Sequence, residues 1–266
     1  MDNYLEHTEV SFDKIASEYD LADKANEIVQ WMREVVHEVY LNNFKSGDEL
    51  LEVNAGTGID ALFLANNGMK VYATDISERM IEILKSKVGE ASNRMLGAEK
   101  ISFSEIHQIQ RKDFDGVISN FGGLNCINDF SKLSGDLALK IKRGGKFVAV
   151  VMNKVCPWEI LYYSLKLDFK EAFRRFNKGG IDASLSTERV RTFYYTPKQF
   201  GKFFDEHFKI QRIFTLGFLT PSPYLLGIYE RFIPFVKLLM KLDEIIKGIF
   251  PLNRFGDHFI IVMNRK

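Results

Sequence analysis

The sequence has few of the features that mark stapled or membrane-crossing chains. It holds two cysteines and six prolines in 266 residues. Cys126 and Cys156 stand far apart with no metal-type spacing, so free thiols in a reducing compartment are expected, with neither a disulfide nor a metal site. No charge of one sign dominates. The 36 Lys and Arg against 35 Asp and Glu leave a net charge of +1, which exerts no global pull toward nucleic acid. The longest uncharged run, Ile213 to Tyr229, carries Pro221 and Pro223 and falls short of the ~20 residues a membrane span needs. No cationic, apolar signal stretch opens the sequence, and no internal repeat is visible. These absences lead to the expectation of a soluble, cytoplasmic protein.

What is present is a large apolar fraction, 46%, enough for a sizeable core in one α/β domain with insertions or in two small domains. The stretch Leu50-Leu51-Glu52-Val53-Asn54-Ala55-Gly56-Thr57-Gly58 organises the rest. An apolar run ending in an acid, a glycine-containing turn and helix-forming sequence predict strand, loop and helix. The helix, Ile59 to Asn67, would aim its N-terminal amides at a ligand. A second apolar run, Val71-Tyr72-Ala73-Thr74, ends at Asp75, where a carboxylate can accept hydrogen bonds from both hydroxyls of a ribose. Two nucleotide readings compete. Gly56-Thr57-Gly58-Ile59-Asp60-Ala61 satisfies the loose dinucleotide fingerprint. Glu52 argues the other way: it would repel a pyrophosphate, and it suits a ligand carrying a sulfonium and an amino group.

On Glu52 to Gly58, and on Ala73-Thr74-Asp75-Ile76-Ser77, the chain resembles the class I S-adenosylmethionine-dependent methyltransferases. One departure is Asn54, where the family's first motif usually has Gly. Asn is the non-Gly residue that best tolerates the left-handed region. Phe12 to Asp20 is similar to the Phe-x-x-x-Ala-x-x-Tyr-Asp lid with which small-molecule members often begin. The resemblance implies S-adenosylmethionine as cofactor, touched by Tyr19, Glu52, Asn54, Ala55, Gly56, Gly58, Asp75, Ile76, Ile106, Asn120 and Phe121. Asn26, Trp31 and Arg33 are left unplaced. It further implies an α/β, Rossmann-like, doubly wound seven-stranded sheet with an antiparallel last strand and helical lid insertions. As a single domain this divides into N-terminal lid helices (1–45), a cofactor-binding core (46–153), lid insertions (154–195 and 220–256) and a last strand (257–266).

The remaining elements follow from periodicity and punctuation. An amphipathic helix is expected over Ala25 to Val39, and Ser77 caps a helix from Glu78 to Val88. Strands are expected at Lys100 to Ser104, Phe114 to Asn120, Lys146 to Asn153, Phe208 to Leu219 and His258 to Met263. Asp129 to Lys142 and Pro157 to Phe176 read as helical, and Thr196-Pro197 starts another helix. A single helix is expected over 228–250, either packed on the domain or lying on a membrane surface. Phe121-Gly122-Gly123 after Asn120 lacks the paired prolines of DNA amino-methyltransferases and argues against base methylation.

The expected reaction is methyl transfer to an oxygen or nitrogen of a small, partly apolar metabolite or lipid-like precursor. Aromatic lid insertions would shelter it from water and exclude polymers. His258, at the start of a final antiparallel strand, is the first candidate for a general base, and His107 the second. Arg174 and Arg175 are expected on a solvated helix face. The rival readings are a nicotinamide-dependent oxidoreductase and a non-catalytic cofactor-binding protein of the same fold.

Overall fold

The computed structural model describes residues 3–185 and 188–266. Two helices come first, α1 (Asn3–Ala25) and α2 (Glu27–Leu41). They are parted by Asn26, whose carboxamide oxygen accepts the Ile28 and Val29 N–H groups and so caps α2. The core units are β1 (Glu49–Val53), α3 (Ile59–Asn66), β2 (Lys70–Asp75), α4 (Glu78–Lys87), β3 (Met95–Lys100) and β4 (Phe114–Ser119). They continue with α5 (Ser131–Lys140) and β5 (Ile141–Met152). A first insertion contains α6 (Pro157–Leu165), α7 (Phe169–Ala172) and a hairpin of β6 (Ile181–Leu185) and β7 (Glu188–Thr192). The chain rejoins the core through α8 (Pro197–Phe203) and β8 (Phe208–Leu216). A second insertion carries α9 (Leu226–Arg231) and α10 (Ile233–Ile246), and β9 (His258–Arg265) follows it.

Seven strands form one sheet in the order β3-β2-β1-β4-β5-β9-β8, with β9 antiparallel to both its neighbours. This is the doubly wound sheet with an antiparallel last strand. Alternation along each strand feeds two cores. Leu51, Val53, Phe147, Ala149, Phe259 and Ile261 face α5 and α8, where Phe130, Phe200 and Phe204 pack together. Leu50, Val71, Val148, Val150, Ile260 and Val262 face α2, α3 and α10. The carboxyl ends of β1, β2, β4 and β5 meet the start of β9 at one edge, where ligands bind in open α/β sheets.

Three elements differ from expectation for identifiable reasons. The third strand runs over Met95–Lys100 and not Lys100 to Ser104, because Ser102 begins a capping box with Glu105 that turns the chain into a short 3₁₀ helix. The 157–176 helix stops at Leu165, and Leu167 takes a left-handed φ of +59°. The 228–250 helix divides at Phe232 (φ −132°, ψ 41°), just ahead of Pro234 in the first turn of α10. Proline lacks an N–H to extend the preceding helix.

Candidate active site

The turn after β1 is built on side-chain substitution for a missing glycine. Asn54 adopts φ +56°, in the left-handed region. Its Nδ2 donates to the Asn120 carbonyl at 2.8 Å, and its Oδ1 accepts the Ser119 hydroxyl at 2.5 Å. Gly123 makes room for it, since a Cβ there would run into the Asn54 carboxamide. The Asp75 carboxylate at the end of β2 ties two loops together. It accepts Gly56 N–H at 2.8 Å on Oδ2 and Ser77 N–H at 2.9 Å on Oδ1. Burial pushes the Asp75 pKa up to about 6, against the lowering effect of these backbone donors.

Two chambers open at this edge and share a wall. The first, of about 70 Å³, is lined by Asn54, Gly56, Asp75, Ile76 and Asn120, and by Leu5, Thr8 and Phe12 of α1. The second, of about 590 Å³, is lined by Met32, Met152, Arg174, Tyr194, Tyr224 and His258 among others. Tyr19 and Phe121 belong to both linings. Phe121 takes φ +41°, and its ring meets the edge of His258 at 5.9 Å and the Arg33 guanidinium at 4.7 Å. Such strained backbone clusters at functional sites.

Helix α1 is strapped over the first chamber by three aspartates. Asp13 accepts the Ser77 hydroxyl at 2.5 Å and Arg79 N–H at 3.2 Å. Asp20 accepts the Thr57 hydroxyl and pairs with Lys87 at 2.7 Å. Asp23 pairs with Arg33 at 2.5 Å, and Arg33 reaches on to Asp60 at 2.8 Å. Asp60 also accepts Asn120 Nδ2 at 2.7 Å and lies 2.7 Å from His37 Nε2. Burial favours the neutral acid, yet the Arg33 guanidinium and these partners hold the Asp60 pKa well below the carboxylate range.

A second buried charge network backs the larger chamber. Arg175 is 4% exposed. It pairs with Asp257 at 2.7 Å and with Glu159, and donates to the Asn153 and Asp257 carbonyls at 2.9 Å each. Arg174 pairs with the other oxygen of Glu159 and stacks over Tyr224 at 5.2 Å. Asp257 also accepts the Ser222 hydroxyl at 2.7 Å. Its other oxygen lies 2.7 Å from His258 Nδ1, within ion-pair range but off the line of a hydrogen bond. Burial opposes ionisation of Asp257, but Arg175 first and His258 next hold its pKa far below the usual value.

Tyr19, Asn54, Gly56, Asp75, Ile76, Asn120 and Phe121 are thus gathered on the walls, with His258 across the shared partition. Glu52, Ala55 and Gly58 lie outside both linings. Glu52 is wholly buried beside Asp60 and Arg33, and burial raises its pKa well above the carboxylate range. Its carboxylate is thus directed into the protein, with Oε2 unpartnered among the described residues, and not onto either chamber wall. Ile106 sits in the apolar core, and Phe103 lines the chamber in its place. His107 is exposed on the far side of that turn, 3.8 Å from Asp136, away from both chambers. Arg174 and Arg175 are site residues and not a solvated face. Glu159 and the Arg pair lie in separate elements, 15 and 16 residues apart, so no local pattern announced that network. Asp60 stands in the first turn after the glycine motif, but its partner Arg33 is 27 residues away.

Among the described residues no group of three or more His, Cys, Asp and Glu is gathered to hold a metal ion, and no helix is long and apolar enough to cross a membrane. Residues 51–149 match the family described as a methyltransferase domain. Demethylmenaquinone methyltransferase of Leptospira interrogans is 32% identical over 155 residues, which is 56% of this chain and 61% of that protein's length. An uncharacterized protein of Methanocaldococcus jannaschii is 29% identical over 228 residues, 84% of each chain. Among solved structures, an S-adenosylmethionine-dependent methyltransferase from Clostridium acetobutylicum superposes with a TM-score of 0.59 at 15% identity, covering 96% of this chain and 98% of that one. At that identity the likeness speaks for the fold alone. The turn after β1, the Asp75 carboxylate, the strand order and these matches converge: residues 51–149 belong to the methyltransferase-domain family, on a fold like that of the class I S-adenosylmethionine-dependent methyltransferases.

Proposed function

We propose that this protein moves a methyl group from S-adenosylmethionine to a small, partly apolar acceptor held in the larger chamber. The observation that carries the proposal is the shared partition. Residues of cofactor-binding type line one side, a His–Asp pair lies on the other, and Tyr19 and Phe121 are common to both. The residues suit the cofactor. Asp75 offers a buried carboxylate to the ribose hydroxyls, and no atom lies within 4 Å of where a Cβ on Gly56 would sit, so the backbone there is open to a ligand. When bound, the cofactor supplies an activated methyl carbon on a sulfonium, which an acceptor lone pair attacks as the carbon–sulfur bond breaks.

The chain's own contribution is alignment, exclusion of water and movement of one proton. Tyr19 and Phe121 frame the point where the chambers meet. His258 accepts the acceptor's proton, and the adjacent Asp257 carboxylate, kept ionised by Arg175, stabilises the imidazolium that forms. An oxygen or nitrogen acceptor is the first reading. The second is a ring carbon of the reduced, quinol form of a demethylmenaquinone-like acceptor, favoured by the relatives' names; loss of a ring hydroxyl proton to His258 would make that carbon nucleophilic, and the carbon's own proton leaves after methyl transfer to restore the ring.

The test is transfer of labelled methyl to a panel of phenols, amines and quinols, with the labelled position read by NMR. His258→Gln should lower turnover roughly 100-fold or more, the usual worth of a positioned base, and leave cofactor affinity unchanged. Full turnover by a folded His258→Gln protein would remove His258 from the reaction.

A further inference from the structure

Helix α10 is apolar on two faces. One face is buried: Val236 is 0% and Met240 6% exposed, packed with α2 in the core. The other is open to solvent: Phe235 is 56%, Leu238 52%, Leu242 39%, Ile245 71% and Ile249 50% exposed. At 3.6 residues per turn the four within the helix, Phe235, Leu238, Leu242 and Ile245, fall within an arc of about 80°, a continuous stripe that Ile249 extends beyond the helix's end. Phe250, 74% exposed, prolongs it.

The charges beside the stripe say what it fits. Residues 220–256 contain Arg231, Lys237, Lys241, Lys247 and Arg254 against Glu230, Asp243 and Glu244. Two of the acids are engaged elsewhere: Asp243 is buried and accepts Leu219 and Thr220 N–H, and Glu244 accepts the Trp31 indole N–H. Lys247 pairs with Glu38. Among the described residues Arg231, Lys237 and Lys241 have no acidic partner, and all are exposed. A second copy docked stripe to stripe would set these cations against their own duplicates. An anionic surface with an apolar interior satisfies both features.

We propose that the α9–α10 insertion docks on the surface of an anionic lipid bilayer, with the Phe235–Ile249 stripe at the acyl boundary and Lys237 and Lys241 at the headgroups. The geometry links this surface to the larger chamber. Pro223 and Tyr224, which line that chamber, lead directly into α9, and Arg174 stacked on Tyr224 ties the first insertion to the same rim. If the reading of that chamber as an acceptor site holds, docking places its mouth where an apolar acceptor dissolved in lipid can enter. The docking itself does not depend on that reading.

Co-sedimentation with sucrose-loaded vesicles of phosphatidylglycerol and phosphatidylcholine tests it without any methyl transfer. The full chain should partition onto phosphatidylglycerol vesicles, less so at high salt. The double variants Leu238→Ser/Ile245→Ser and Lys237→Glu/Lys241→Glu should each lose at least tenfold in partition while their thermal unfolding stays that of the parent. Failure of the parent to sediment with vesicles, or sedimentation indifferent to both double variants, would overturn the proposal. So would a concentration-dependent dimer that Leu238→Ser/Ile245→Ser dissolves, which would give the stripe to a second copy.

Discussion

At the residue scale the most informative group is Asp75. Its carboxylate is raised to about 6 by burial, and ribose hydroxyls bind its charged form. Cofactor affinity should therefore be pH-independent above about 6 and fall as pH drops below it, by up to tenfold per unit, in a titration series. Asp75→Ala should weaken binding roughly ten- to 100-fold, the equivalent of a charge-assisted hydrogen bond of about 1.5–3 kcal/mol. Asn54 and Gly123 form a matched pair. Gly123→Ala should destabilise the fold by about 1–3 kcal/mol through overpacking, and Asn54→Gly in the same chain should recover part of that in urea unfolding. Asp257 makes a linkage prediction. Its folded pKa lies below the unfolded 3.8, so its contribution to stability is complete above that value and is lost as pH falls beneath it. Arg175→Met should cost about 3–5 kcal/mol, because it leaves two buried carboxylates short of their partner.

At the element scale, we propose that α1 governs access. The chamber it covers, about 70 Å³, is well below the ~300–1,000 Å³ of ligand pockets, and Leu5, Thr8 and Phe12 fill it from above. The straps through Asp13 and Asp20 are polar and partly solvated, the kind of contact that opens locally. Hydrogen exchange should show α1 opening more readily than α3 in the free protein, with α1 slowed on addition of S-adenosylhomocysteine. Equal protection of both helices, unchanged by the ligand, would contradict a lid. The segment could be singled out in the sequence because its Phe12, Tyr19 and Asp20 follow a local pattern. The division of the 228–250 helix is equally local, but the apolar periodicity continues across Pro234 and masks the break.

At the scale of the whole molecule, what could be seen in the sequence was what is encoded in short windows. The β1–α3 turn, Asp75 at a strand end and the Gly122-Gly123 turn each carry chemistry within a few residues. The topological placement of His258 followed from strand order alone. The two charge networks were out of reach because their partners are distant in sequence: Arg175 and Asp257 are 82 residues apart, and Arg33 and Asp60 are 27. Glu52 marks the opposite case, a motif position whose identity was plain but whose side chain turns into the protein, where burial raises its pKa. The fold thus brings cofactor-type residues, a His–Asp pair and an apolar chamber to one sheet edge. The most direct test of that account is a parallel calorimetric titration of the parent chain and Asp75→Ala with S-adenosylmethionine, S-adenosylhomocysteine and NAD. The account predicts that the parent binds both sulfur compounds and not NAD, and that the variant binds them at least tenfold more weakly. Binding of NAD alone, or affinity for the sulfur compounds untouched by Asp75→Ala, would contradict it.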